Sequence, residues 1–360
     1  MSRLWSRKAA SVSPYVPGEQ PQDRRYIKLN TNENPYPPSP AVEKALREFD
    51  AATLRFYPDP TSKALRDALS ATYGIPPERI FVGNGSDEIL AFAFQAFFDP
   101  ASPASDCVLF PDVTYSFYPV YAGLYDIPFR TVPLADDFSV PVDAFLAPCG
   151  GVVLPNPNAP TGRALPLADI ERIVSAHPDR AVLIDEAYVD FGCETALPLL
   201  ERYDNLLVVQ TASKSRSLAG LRLGYAFGSR ALIEGLERIR DSFNSYTVDR
   251  LAQAAGIAAL SDPEGFERTR ALVVATRERT SRRLGKLGFE VVPSAANFLF
   301  ARHPGMGGAE LYEALKERGI LVRYFRKPRI DAYVRITVGT PEEMDALCVE
   351  LSRLVGTGVQ

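Results

Sequence analysis

The chain has 360 residues, 46% of them apolar and 23% charged, a globular balance too long for one compact core and too apolar for disorder. Its net charge of −4 leaves no electrostatic footprint for nucleic acid or an anionic membrane, and no apolar run approaches the roughly 20 residues that cross a bilayer. The four cysteines, Cys107, Cys149, Cys193 and Cys348, lie far apart with no CxxC pair, which argues against zinc and for a reducing compartment. Small-molecule partners are expected, with no nucleic acid and no membrane.

The basic N-terminus is followed by no apolar stretch of the kind a signal peptide needs, so a cytoplasmic location is expected. Residues 1–40 carry Pro14, Pro17, Pro21, Pro35, Pro37, Pro38 and Pro40, a density that predicts an extended arm without regular structure. From Val42 to Tyr246 one phrase repeats: a short apolar run, a loop rich in Gly, Asn, Pro or Ser, then a helical stretch. The runs Ile80–Val82, Cys107–Phe110, Gly151–Leu154, Ala181–Ile184 and Leu206–Val209 are continuously apolar, as strands buried on both faces are. Residues 41–246 therefore read as an α/β domain with a mostly parallel sheet flanked by helices. Residues 247–360 read as a smaller α+β domain, with strands at Glu290–Val292, Phe298–Ala301, Leu321–Tyr324 and Tyr333–Val338. Its last helix starts with Thr340 as N-cap, Pro341 at the first position and Glu343 closing a capping box.

In a parallel sheet, ligands bind beyond the carboxyl ends of the strands, and each predicted strand runs straight into a polar signature there: GNGSDE, PDVTYSFY, PNPNAPTG, DEAY and TASKSRS. Gly85, Ser86 and Asp87 open a helix whose free N–H groups can hold a phosphate, although a capped helix would read the same way. Asp185 ends its strand where a carboxylate can pair with a ligand cation such as a pyridinium nitrogen, or can simply cap the next turn. Tyr188, on the same side of that turn, can donate to a phenolate oxygen. Lys214 stands at the sheet mouth, where burial and the nearby Arg222 lower its pKa and keep the amine nucleophilic toward an aldehyde. Asn158 and Tyr115 complete the ring of polar and aromatic groups, each equally readable alone as turn chemistry or packing.

This combination resembles the fold-type I aminotransferases over nearly the whole chain. The strings Leu29-Asn30-Thr31-Asn32-Glu33-Asn34-Pro35, Tyr57-Pro58-Asp59-Pro60, DEAYVDF, SKSRSLAGLRLGY and VRITVGT look most like the histidinol-phosphate aminotransferases of histidine biosynthesis. The resemblance implies pyridoxal 5'-phosphate carried covalently on Lys214, with Asp185 on its pyridinium nitrogen, Tyr188 and Asn158 on its phenolic oxygen and Tyr115 over its ring. Around its phosphate it implies Gly85, Ser86, Asp87, Ser213 and Arg222, and Tyr57 from a neighbouring subunit, hence a homodimer. On the substrate side it implies Tyr15, Asn32, Tyr246, Arg323 and Arg335, the two arginines gripping the substrate's phosphate. The sequence departs from the family's pattern at Ala159, where the loop usually repeats asparagine, and at 244–248, where a Pro-Tyr-Pro-like string is frequent.

The same cofactor residues would serve an aromatic or broad-specificity aminotransferase, or an O-phosphothreonine decarboxylase. A non-catalytic pyridoxal-phosphate sensor would need a DNA-binding module, and residues 1–40 show neither helix-turn-helix patterning nor basic excess. A hydrolase would need a nucleophile elbow that is absent from the sequence, and the two histidines, His177 and His303, each precede proline and read as solvated loop residues.

Overall fold

The computed structural model describes residues 3–103 and 106–356, so the ends of the arm (1–2) and of the small domain (357–360) lie outside the described residues. In chain order the strands are β1 (Ile27–Lys28), β2 (Ile80–Gly83), β3 (Val108–Pro111), β4 (Phe129–Val132), β5 (Gly151–Pro155), β6 (Val182–Asp185), β7 (Leu206–Thr211), β8 (Gly224–Phe227), β9 (Glu290–Val292), β10 (Phe298–Arg302), β11 (Ile320–Leu321), β12 (Arg323–Tyr324) and β13 (Val334–Thr337).

The large sheet has seven strands in the order β2-β8-β7-β6-β5-β3-β4. Strands β7, β6, β5, β3 and β4 run parallel to one another. The sheet is nevertheless mixed, because β8 runs antiparallel to both β7 and β2. No helix of full length intervenes between β7 and β8, so the chain turns straight back. Two strands of this sheet went unread in the sequence. β4 is an edge strand with Phe129, Arg130 and Thr131 exposed, so it lacks the continuous apolar signal, and β8 is hidden in the string after the lysine loop.

The continuous apolar runs have a direct cause. Alternate residues of each strand enter different cores: Val152, Leu154, Val182 and Ile184 pack on one face, Val153, Leu183, Leu207 and Val209 on the other. Because β8 is reversed, β2 runs with the other strands, and all their carboxyl ends open on one edge. There Gly83 and Thr211 both pair with Gly224, the first residue of β8.

The second sheet is antiparallel, β12-β13-β10-β9, with its own core around Leu299, Ile336, Leu347 and Leu351. The predicted strand 321–324 is broken: Leu321 pairs with β1, while Arg323 and Tyr324 pair with β13. The last helix, Pro341–Leu354, has the expected capping box between Thr340 and Glu343. The helix Arg250–Leu260, assigned by sequence to the small domain, instead packs Ala252, Ala255 and Ala259 into the core of the large sheet.

The arm is not devoid of regular structure. A short helix, Arg7–Ser11, forms where Ser6 accepts the N–H of Ala9 and no proline intervenes, and β1 pairs with β11. Pro40 is the first residue of the helix Pro40–Arg47, a position proline suits. His177 is also corrected: it is 3% exposed, with a ring nitrogen 2.6 Å from the Phe145 carbonyl oxygen, not a solvated loop side chain. His303 is half-buried against Phe289. No helix among the described residues is long and apolar enough to cross a membrane.

Candidate active site

The carboxyl edge of the large sheet and the face of β12 and β13 enclose one cleft. Its lining includes Tyr15, Asn32, Ser86, Asp87, Tyr115, Asp185, Tyr188, Ser213, Lys214, Arg222, Arg323 and Arg335, twelve of the sixteen residues singled out in the sequence.

At one end lies the N-terminus of the helix Gly85–Phe97. Asn84 at the cap makes no side-chain bond to the first turn, so its N–H groups are open to an incoming anion. Two glycines permit the crowding there. Gly85 sits at φ +82° with the Arg222 guanidinium where a Cβ would stand, and a Cβ on Gly224 would lie 2.5 Å from the backbone of Gly85 and Ser86. Arg222 is held 3.0 Å from Asp87, whose other oxygen accepts the Tyr115 hydroxyl at 2.7 Å. Asp87 thereby orients the cation and the aromatic ring together. Ser213 is buried at this end, 3.0 Å from the hydroxyl of Thr211.

At the centre stand Asp185 and Lys214. Burial raises the Asp185 carboxyl to about 6, opposed by hydrogen bonds from the Tyr118 hydroxyl and the Ala187 N–H. Both readings of Asp185 hold: it caps the turn through one oxygen and offers a buried carboxylate to the cleft. Lys214 is half-buried, with Nζ 3.3 Å from the carbonyl oxygen of Thr31. Its pKa falls to about 8, by burial first and then by the Arg335 guanidinium, with Arg222 a lesser cause than the sequence suggested. Tyr188 accepts a hydrogen bond from the Asn32 amide at 2.9 Å, which leaves its own proton for another acceptor.

Arg323 and Arg335 face each other in register on β12 and β13, hence on one side of the sheet. Neither has a carboxylate partner within ion-pair distance among the described residues. Arg323 donates to the carbonyls of Val16 and Pro17, Arg335 to that of Asn30, and the Nε of Arg335 is buried without a partner. Two guanidiniums so placed have donors to spare for a ligand anion.

Four expected residues lie elsewhere. Gly85 is beneath Arg222 rather than in the lining. Asn158 is buried, its amide donating to Val113 and Thr161 and its oxygen unpartnered. Tyr57 and Tyr246 stack on each other at 4.6 Å on the surface, 76% and 42% exposed. Tyr118 was missed, although its spacing of three from Tyr115 in PDVTYSFY would bring the two together at the start of a helix.

The profile of the family described as aminotransferase class I and II matches residues 24–351. The chain belongs to this aminotransferase family. Curated relatives include Histidinol-phosphate aminotransferase 1 of Bordetella parapertussis, to which the aminotransferase is 57% identical over 98% of its own length and 99% of the relative's. A second, of the same name, from Methylococcus capsulatus, is 56% identical over 99% and 98%. Among solved structures, histidinol-phosphate aminotransferase from Sinorhizobium meliloti in complex with pyridoxal-5'-phosphate superposes with a TM-score of 0.85 at 25% identity, covering 99% of both chains.

The residues of the aminotransferase fit that cofactor. An uncapped helix start beside Arg222 suits its phosphate, a buried carboxylate suits its ring nitrogen, and a lysine with a pKa of about 8 suits its aldehyde.

Proposed function

We propose that the chain transfers the amino group of L-histidinol phosphate to 2-oxoglutarate, giving imidazole-acetol phosphate and L-glutamate, with pyridoxal phosphate as cofactor. The observation that carries this reading is the pair Arg323 and Arg335, in register and without carboxylate partners among the described residues, beside a lysine of lowered pKa. A phosphate-bearing amine needs such a clamp, and the carboxylates of 2-oxoglutarate can use it in the second half of the reaction. The names of the curated relatives support the same substrate.

The cofactor, when bound, supplies an electron sink for charge developing at the reacting carbon. The protein does the rest. Lys214 would hold the cofactor covalently, and its amine in the neutral form would carry the proton between the reacting carbons. Asp185 would pair with the protonated ring nitrogen and Tyr188 would donate to the phenolic oxygen, whereas Asn158, its amide hydrogens already given to Val113 and Thr161, would support the loop beside them. Tyr115 covers the ring. Ser86, Ser213, Arg222 and the first-turn N–H groups of Gly85 and Asp87 hold the phosphate. Tyr15 and Asn32 wall the substrate and exclude water.

Tyr57 and Tyr246, with the exposed Phe56 and Phe243, form an aromatic surface suited to a second copy, from which Tyr57 would reach the neighbour's phosphate; we therefore infer a homodimer. The cofactor domain extends through residue 260 and the smaller domain follows, a division supported by the packing of the helix Arg250–Leu260 and by the separate core around Leu347. Four unpaired cysteines favour the cytoplasm.

A single-turnover absorbance titration tests the assignment. Histidinol phosphate should convert the yellow protein to the pyridoxamine form and 2-oxoglutarate should reverse it. Conversion mainly by phenylalanine would overturn the substrate, carbon dioxide release from O-phosphothreonine would make the enzyme a decarboxylase, and no response to any donor would favour a sensor.

A further inference from the structure

The segment Asn30–Asn34 runs between the two sheets and is pinned to the smaller one. The Leu29 carbonyl accepts the N–H of Thr337 at 2.9 Å, the Asn32 N–H donates to the Thr337 hydroxyl at 2.9 Å, and the Asn32 carbonyl accepts the Asn297 amide at 3.0 Å. From this anchorage it meets three groups of the site: Arg335 at the Asn30 carbonyl, Lys214 Nζ at the Thr31 carbonyl and Tyr188 at the Asn32 amide.

Asn34 lies outside the cleft lining and has had no part so far. Its Nδ2 donates to the carbonyl oxygens of both Lys214 and Ser215, at 3.0 and 3.2 Å, while its Oδ1 accepts the N–H of Tyr36 at 3.1 Å. That pattern fixes the amide's orientation: turned over, its oxygen would face two carbonyl oxygens and its NH2 an N–H. Neither carbonyl accepts a backbone N–H among the described residues, so this carboxamide satisfies both, in a turn also held by the Leu218 N–H on the Ala212 carbonyl at 3.1 Å and the Ser215 hydroxyl on Asp190 at 2.5 Å.

We propose that Asn34 is a positioning residue for Lys214, clamping the peptide from which the reactive side chain projects. Lysine is long and flexible, and its aim depends on the backbone at its root. One segment holds it at both ends, through the Thr31 carbonyl at Nζ and Asn34 at the main chain. The fixed root keeps Nζ in the buried, Arg335-facing position that lowers its pKa. Misplacement of a catalytic group by about 1 Å can cost ~100-fold in rate.

The turnover part of the test rests on the aminotransferase reading above; the labelling part does not. Asn34→Ala removes the donor, and Asn34→Asp keeps the shape but sets carboxylate oxygens against the two carbonyls. Three quantities are compared with the parent: kcat and KM of the loaded enzyme, the melting temperature, and the pH dependence of Lys214 acetylation by acetic anhydride in the cofactor-free protein, read by peptide mass spectrometry. In both variants kcat should fall by about 10- to 100-fold with KM for the amine changed less than about threefold. The acetylation midpoint should move up from about 8 toward the ordinary lysine value. Parent-like turnover in Asn34→Asp, or a loss of kcat with an unmoved acetylation midpoint, overturns the assignment. A parent enzyme that turns over no amine donor, with the midpoint still shifted in the variants, would sink the proposed function and leave Asn34 its role.

Discussion

The hydroxyl of Tyr118 donates to Oδ2 of Asp185 at 2.8 Å, joining the start of the helix Tyr118–Leu124 to the carboxyl end of β6. Both side chains are buried, Tyr118 completely. The bond favours the charged carboxylate against the burial that lifts it to about 6, so Asp185 is ionised at neutral pH with little margin.

Tyr118→Phe should therefore raise the Asp185 pKa further, and the carboxylate that would pair with the cofactor's ring nitrogen should be lost at a higher pH. Cofactor retained after dialysis should drop sharply at pH 6.5 and far less at pH 8.5, where the carboxyl is ionised in either protein. Equal retention at both pH values would remove this role from Tyr118.

Lys214 captures an aldehyde only as a neutral amine, so cofactor uptake by the cofactor-free protein should rise with pH through about 8. Arg335 lowers that midpoint by repelling the ammonium. Arg335→Leu should shift it upward, measured by stopped-flow absorbance at several pH values, whereas an unchanged midpoint would remove Arg335 from the causes of the lysine's lowered pKa.

Arg323 and Arg335 should discriminate by substrate phosphate. Hydrogen bonds to charged groups contribute about 1.5–3 kcal/mol each, so Arg323→Gln should lower kcat/KM for histidinol phosphate by ~10- to 100-fold. Activity toward unphosphorylated histidinol should be low in the parent and change little in the variant. A proportional loss with both amines would show that Arg323 serves only to hold Val16 and Pro17 of the arm.

Gly224 lets β8 start against the first turn of the helix Gly85–Phe97. Gly224→Ala should shift the urea unfolding midpoint by the equivalent of about 1–3 kcal/mol and weaken cofactor binding. Gly220→Ala, where an added Cβ meets nothing within 4 Å, is the control and should leave both unchanged.

Much of this architecture was legible along the chain. Strands buried on both faces announce themselves as unbroken apolar runs, and the loops at their carboxyl ends line the cleft, so Asp185, Lys214, Ser86 and Tyr188 could be placed there before any contact was known. The missed strands failed for local reasons: β4 is a half-exposed edge, and β8 is short and follows a loop already rich in functional residues. His177 was misjudged because sequence cannot show that the Phe145 carbonyl waits beside it.

The sequence by itself determined which elements form and which residue types stand at the sheet mouth, because periodicity and turn chemistry are local properties of the chain. Only the tertiary structure decided the reversal of β8, the Tyr118–Asp185 and Asn34–Lys214 hydrogen bonds, the register of Arg323 against Arg335, and the greater influence of Arg335 over Arg222 on Lys214. Pairing, burial and electrostatic proximity depend on which distant segments the packed cores bring together, and no local pattern encodes those distances.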